Sequence, residues 1–222
     1  MFGLKPELLH EDLEPYIENS KDLGQILRHP LCYSVPYSSI FNPMLNKQYE
    51  WKLKTIEKCV AKRDFETTVF MYERPYRTGA FFQYLPDMGY TEALSTARNV
   101  WVDSEDIFNS KKQWVKFFND INGSFDSFIG LDNLDLFQCL PETFKVYRGG
   151  TSQGLSWTLN KEKAKWFAKR HNSLYKTPNE WFSMDVLKKD VVGYIGDRDE
   201  DEIIIVKPNE EIVKNYTEIF SI

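Results

Sequence analysis

Apolar residues recur at helical spacing through the first two thirds of the chain and at strand spacing through the last third. Leu45, Tyr49, Leu53, Ile56 and Val60 share one face and predict an amphipathic helix from about 45 to 63. Thr91 to Trp101 predicts a second, with Leu94, Ala97 and Trp101 turned inward. Ser110 reads as the cap of a third, presenting Trp114, Phe117, Phe118 and Ile121. Two stretches read as irregular: 29–44, with three prolines, and 74–90, where Arg74, Tyr76, Arg77, Phe81, Phe82 and Tyr84 mix with turn residues. Beyond 141 the period shortens, and strands are expected around 143–148, 155–159, 182–187, 191–195 and 202–207. One helix lies among them, capped by Asn160, with Ala164, Phe167, Ala168 and His171 at i, i+3, i+4 and i+7. No internal repeat or low-complexity linker interrupts the pattern. The expected fold is α+β: a mostly helical region, 1–141, packed as one unit on a mixed β core, 142–222, and roofing a cleft.

Three elements of the last third carry chemistry. The first is Glu200-Asp201-Glu202, running into Ile203-Ile204-Ile205-Val206. On an extended strand, residues two apart point to one face, about 6.6–6.8 Å apart. Glu200 and Glu202 would then stand together, with Asp201 facing away. Carboxylates roughly 6.5–9.5 Å apart suit an oxocarbenium-like transition state, one stabilising positive charge and the other activating the nucleophile. Taken alone, the run reads more readily as a solvated acidic turn, since Asp197 and Asp199 precede it. The second element is Tyr147-Arg148-Gly149-Gly150. Phe144, Val146 and Arg148 alternate onto one face, so the guanidinium follows two apolar residues toward the packed side, where it needs a carboxylate or phosphate partner. The glycines allow a tight turn and close approach of a ligand. The third is Ser156-Trp157-Thr158: two hydroxyls on one face, able to fix a carboxylate rotamer, and Trp157 in the opposite layer as core.

In this order and these surroundings, the three elements resemble the R-S-E class of mono-ADP-ribosyltransferases. Arg148 matches the Tyr-Arg-Gly element, Ser156 with Thr158 the Ser-x-Thr element, and Glu200 with Glu202 the Glu-x-Glu element. The likeness runs on through Leu159 to Ala168, similar to the helix after the second strand, and covers roughly 142–207. Trp157 departs from the small residue that many members carry there. The resemblance implies an ADP-ribosyltransferase core with a cleft for NAD as co-substrate, contacted by Arg148, Gly149, Ser156, Trp157 and Thr158. Arg148 would hold the pyrophosphate and the nicotinamide-side ribose, and Ser156 would shape the nicotinamide pocket. Glu202 would bind the ribose 2′-hydroxyl and stabilise the oxocarbenium ion. Glu200 would position or deprotonate the acceptor, with Tyr194 to Asp199 as the loop that meets it. The Glu-x-Glu pattern leans to a protein arginine as acceptor. The resemblance also implies a bacterial or phage conflict role as a toxin, which would bring an antitoxin protein as partner. Two other classes remain open: a glycoside hydrolase or NAD glycohydrolase using the same carboxylates with water, and a catalytically dead NAD-binding module.

Composition changes this picture little. The chain of 222 residues is 42% hydrophobic and 15% aromatic, enough for a core in one large domain or two small ones. A formal net charge of -5 gives no global push toward nucleic acid or an anionic membrane. Locally, Lys47 to Arg77 is basic, with Lys47, Lys52, Lys54, Lys58, Lys62, Arg63, Arg74 and Arg77 among aromatics. It reads either as a surface for an RNA or DNA acceptor or as a solvated helix face that also carries Glu50, Glu57 and Asp64. Cys32, Cys59 and Cys139 are odd in number and widely spaced, which favours reduced thiols over a disulfide framework or zinc site. His10, His29 and His171 show no metal-binding spacing, no metal is expected, and His171 reads as structural. With no signal core and no apolar run near ~18 residues, a cytoplasmic location without membrane partners is expected.

Overall fold

The helical spacing of Leu45, Tyr49, Leu53 and Ile56 becomes the inner face of α1 (Asn42–Ala61). In the computed structural model, which describes residues 7–104, 107–196, 201–208 and 213–217, Leu45 and Tyr49 cluster with Leu9, Leu13, Leu27, Leu31 and Cys32, while Leu53 and Ile56 pack at the margin. Val60 is exposed. Asp64 caps α2 (Phe65–Met71) by accepting from the Thr67 N–H at 3.1 Å. The stretch read as irregular contains α3 (Arg77–Tyr84) between two short 3-10 turns. Leu94, Ala97 and Trp101 face inward on α4 (Tyr90–Asp103), as their spacing predicts. Ahead of α1, three short strands went unread: β1 (Ile17–Ser20), β2 (Gly24–His29) and β3 (Cys32–Ser34) form an antiparallel sheet in that order.

These elements make one compact unit, residues 1–105, and residues 106–222 make another. The division falls well before 141, because α5 (Lys111–Asp120), α6 (Asp126–Ile129) and α7 (Leu131–Gln138) belong with the strands. On α6, the Phe128 ring fills the space over Gly193, where a Cβ would stand 2.6 Å from its Cε1. Leu134 and Phe137 of α7 cover the strand core.

The second unit holds β4 (Thr143–Gly149), β5 (Ser156–Thr158), α8 (Lys161–Tyr175), β6 (Glu180–Leu187), β7 (Val191–Ile195), β8 (Glu202–Ile205) and β9 (Lys214–Thr217). The sheet order is β7-β8-β5-β4-β6-β9. All its described pairings are antiparallel, so the expected mixed sheet is corrected. One face carries the core: Phe144, Val146, Trp157, Phe182, Met184, Val186, Tyr194, Ile203 and Ile205. Against the other lies α8, started by Asn160, whose Oδ1 accepts from the Glu162 and Lys163 N–H groups. Ala164 and Ala168 let α8 approach β4 backbone to backbone. A Cβ at Gly149 would stand 2.1 Å from the Ala164 carbonyl oxygen and 2.3 Å from the Ala168 nitrogen. The chain is α+β, and among the described residues no helix is long and apolar enough to cross a membrane.

Candidate active site

Strand order brings together the three elements that stand apart in sequence. β8, β5 and β4 are consecutive neighbours. Register pairs Glu202 with Thr158, and Thr158 in turn with Tyr147. Directly opposed residues of antiparallel strands share a face. Glu202, Thr158 and Tyr147 therefore form a row across three strands, with Ser156 two residues from Thr158 on the same face. Thr158 is buried, and its Oγ1 accepts from the Asn160 N–H at 3.0 Å, which ties this row to the start of α8.

Arg148 sits near the end of β4, one residue past Tyr147. Its Nε donates to the Thr151 carbonyl at 2.6 Å, and its Nη1 donates to the Ser156 carbonyl. The expected anionic partner is thus replaced by two backbone oxygens of the β4–β5 connection. Gly154 lies flat against the guanidinium, and a Cβ there would stand 1.9 Å from both Cζ and Nη2. A guanidinium has five N–H donors, so two carbonyls leave capacity for a ligand. Burial pushes the Arg148 pKa down to about 10, and the charge of Glu202 opposes that fall. The group therefore stays cationic at neutral pH, with little solvation of its own.

Glu202 is half-buried and is the first residue of β8. Just before it, Asp201 has a left-handed backbone, φ 43°. Its Oδ1 accepts from the Tyr194 hydroxyl at 2.9 Å, and its carbonyl accepts from the Leu159 N–H at 3.2 Å. Burial, reinforced by the Asp201 hydrogen bond, pushes the Tyr194 phenol up to about 12, so it remains a donor. Asp201 is thereby turned to the Tyr194 side. The alternation on which the Glu200–Glu202 pairing rested begins only at Glu202, and Glu200 lies outside the described residues, as do 197–199 of the expected acceptor loop. The first part of that loop is anchored: Gly196 N–H donates to the Asn133 side chain at 3.0 Å.

A small open depression of about 60 Å³ is lined by Ile107, Phe108, Lys111, Arg148, Gly154, Leu155 and Ser156. Two of the predicted residues, Arg148 and Ser156, meet there. Gly149 packs on α8 instead, and Trp157 belongs to the core, its indole N–H donating to the Gly154 carbonyl at 3.2 Å. Ile107, Phe108 and Lys111 were missed by sequence reasoning. Lys111 opens α5, and its ammonium donates to the Gln153 carbonyl. One signal was available, because Lys111 and Lys112 stand at a helix N-terminus, where cations are disfavoured. Two cations, a hydroxyl and an apolar wall with the exposed Phe108 ring suit a phosphate beside a flat ring.

One other candidate resolves structurally. His171 Nδ1 bonds the Thr177 hydroxyl at 2.7 Å, and its ring packs over Gly150, as a structural histidine would. Among the described residues, no group of three His, Cys, Asp or Glu side chains is placed to hold a metal ion. No family model, curated protein or solved structure matches this chain.

Proposed function

We propose that this chain is an NAD-dependent mono-ADP-ribosyltransferase acting on a macromolecular acceptor. One observation carries the reading: Arg148, Ser156 with Thr158, and Glu202 stand on three adjacent strands, β4, β5 and β8, with Glu202 paired to Thr158 and its charge felt at Arg148. A solvated acidic turn would need no such neighbours.

In this reading Arg148 and Lys111 hold the pyrophosphate, with Arg148 already oriented by the Thr151 and Ser156 carbonyls. The apolar wall of Ile107, Phe108 and Leu155 excludes water from one side of the bond that breaks. Glu202 accepts from the ribose 2′-hydroxyl and stabilises the positive charge that develops at the anomeric carbon, usually the largest catalytic contribution. As the glycosidic C–N bond breaks, its electron pair returns to the nicotinamide ring nitrogen, which leaves neutral. The acceptor forms the new bond at the same carbon and gives its proton to Glu200. The resemblance leans to a protein arginine as that acceptor and to a conflict toxin as the role. With water as acceptor the same groups would make an NAD glycohydrolase, so release of nicotinamide tests the bond-breaking step and transfer of label tests the rest.

A further inference from the structure

The basic stretch from Lys47 to Arg77 separates into two sets in three dimensions. One set is neutralised within the fold. Lys52 pairs with Glu73 at 2.7 Å, both side chains largely buried, and Arg77 pairs with Asp103 at 2.7 Å. The other set faces outward on α1. At 3.6 residues per turn, Met44, Lys47, Trp51, Lys54, Lys58 and Lys62 align on the side opposite the buried Leu45 and Tyr49. The four lysines are exposed. Trp51 is 57% exposed and Met44 58%, an unusual position for an indole with no packing role there. Glu50 and Glu57 run along one edge of the stripe. Among the described residues this set makes one ion pair, Lys54 to Glu50 at 3.8 Å, which is solvent-exposed and therefore weak.

We propose that this face of α1 binds single-stranded nucleic acid. Lys47 and Lys62 span about 22 Å along the helix axis, with Lys54 and Lys58 between them. Such a row follows a backbone that carries one charge per nucleotide. Trp51 lies between Lys47 and Lys54, where a base can stack while its flanking phosphates meet lysines. A duplex hides the faces of its bases, so the exposed indole selects an unpaired strand. An acidic protein would need a contiguous apolar seam, whereas here a lysine stands between Met44 and Trp51. The chain's net charge of -5 repels a polyanion at long range, so attraction is confined to the stripe and screened within about 8–10 Å at ordinary salt. The proposal requires nothing of the catalytic reading, and its test leaves that reading untouched.

The test is fluorescence anisotropy of a labelled single-stranded oligonucleotide of about 15 nucleotides, titrated with the full chain over roughly 50 to 200 mM salt. Affinity should fall linearly with salt on a double-logarithmic plot. Trp51→Ala should weaken binding about fivefold or more. Lys47→Glu with Lys58→Glu should reduce the salt slope by about 1.4, two contacts' worth for a single strand. Lys116→Glu, at an exposed lysine on α5, should change neither. Where glutamate lowers helix content by circular dichroism, Lys47→Gln with Lys58→Gln reads the same slope. Absence of binding at the lowest salt overturns the proposal, as does affinity indifferent to all these changes. Polyglutamate binding as tightly as the oligonucleotide would overturn it in favour of an acidic protein partner.

Discussion

The Arg148 guanidinium is held by the Thr151 and Ser156 carbonyls and pressed against Gly154, with further N–H donors left for a ligand. Removing it should therefore cost substrate affinity more than stability. Arg148→Ala is expected to weaken NAD binding at least tenfold by calorimetry, since phosphate recognition by a guanidinium is charge-assisted. Gly154→Ala should do nearly the same with Arg148 intact, because a methyl group would occupy the guanidinium's place. Unchanged affinity in both would make Arg148 a purely structural residue. A second residue sets a pH dependence. His29 is buried between the Tyr16 and Tyr49 rings, its Nδ1 accepting from the Leu31 N–H at 3.1 Å. Burial lowers its pKa below 6.5, with Asp12 opposing and Lys52 assisting. A depressed histidine leaves the unfolded chain binding more protons, so its contribution is complete above pH 6.5 and is lost as pH falls below that value. Urea midpoints should drop between pH 7.5 and 5.5, and His29→Asn should flatten that drop. An equal drop in the variant would assign it to other groups.

Among the elements, α8 couples the strand core to the site. Its cap, Asn160, also donates its N–H to Thr158, which stands opposite Glu202. Asn160→Ala should cost about 1 kcal/mol in urea unfolding, the usual loss for a missing N-cap, and should lower activity beyond that loss by loosening Thr158. Full activity would mean Thr158 needs no such support. Elements with a buried face were legible in the sequence: α1, α4, α8 and five strands of the larger sheet all show period. Others were not, β2 and α3 among them although they bury Ile26 with Leu27 and Ala80 with Phe81. β1 is intermediate or exposed along its length, and β9 is exposed throughout, so neither alternates. In α2, Thr67, Thr68 and Val69 are β-branched and weak helix formers, and the Asp64 cap starts a helix that propensity would not. The candidate site was half legible. Arg148, Ser156, Thr158 and Glu202 follow from residue type and order. Ile107, Phe108 and Lys111 reach the pocket through tertiary packing, which no local spacing records. The spacing argument for the carboxylates stopped at Asp201, whose left-handed backbone ends the extended run.

For the whole molecule, helix content and contact boundaries do not coincide. Period changes near 141, yet the compact units divide at 105/106, because Phe128, Leu134 and Phe137 pack on strands. The second unit holds the proposed catalytic groups, and the first presents the exposed face of α1. These make separate demands, so the acceptor must be found directly. Incubation with labelled NAD and a bacterial lysate, followed by protease or nuclease, is expected to leave label that protease releases, in keeping with an arginine acceptor. Label released only by nuclease would assign the acceptor to RNA or DNA. In the proposed reading, bond cleavage comes before either outcome and depends on Glu202. The most direct measurement is nicotinamide release from NAD by the wild-type chain and by Glu202→Gln, alongside NAD affinity of both. The amide keeps the shape and hydrogen bonding of the carboxylate but not its charge. Release should fall at least a hundredfold in the variant while affinity changes less than about threefold. Wild-type release by Glu202→Gln, or no release by the wild-type chain, would contradict the account.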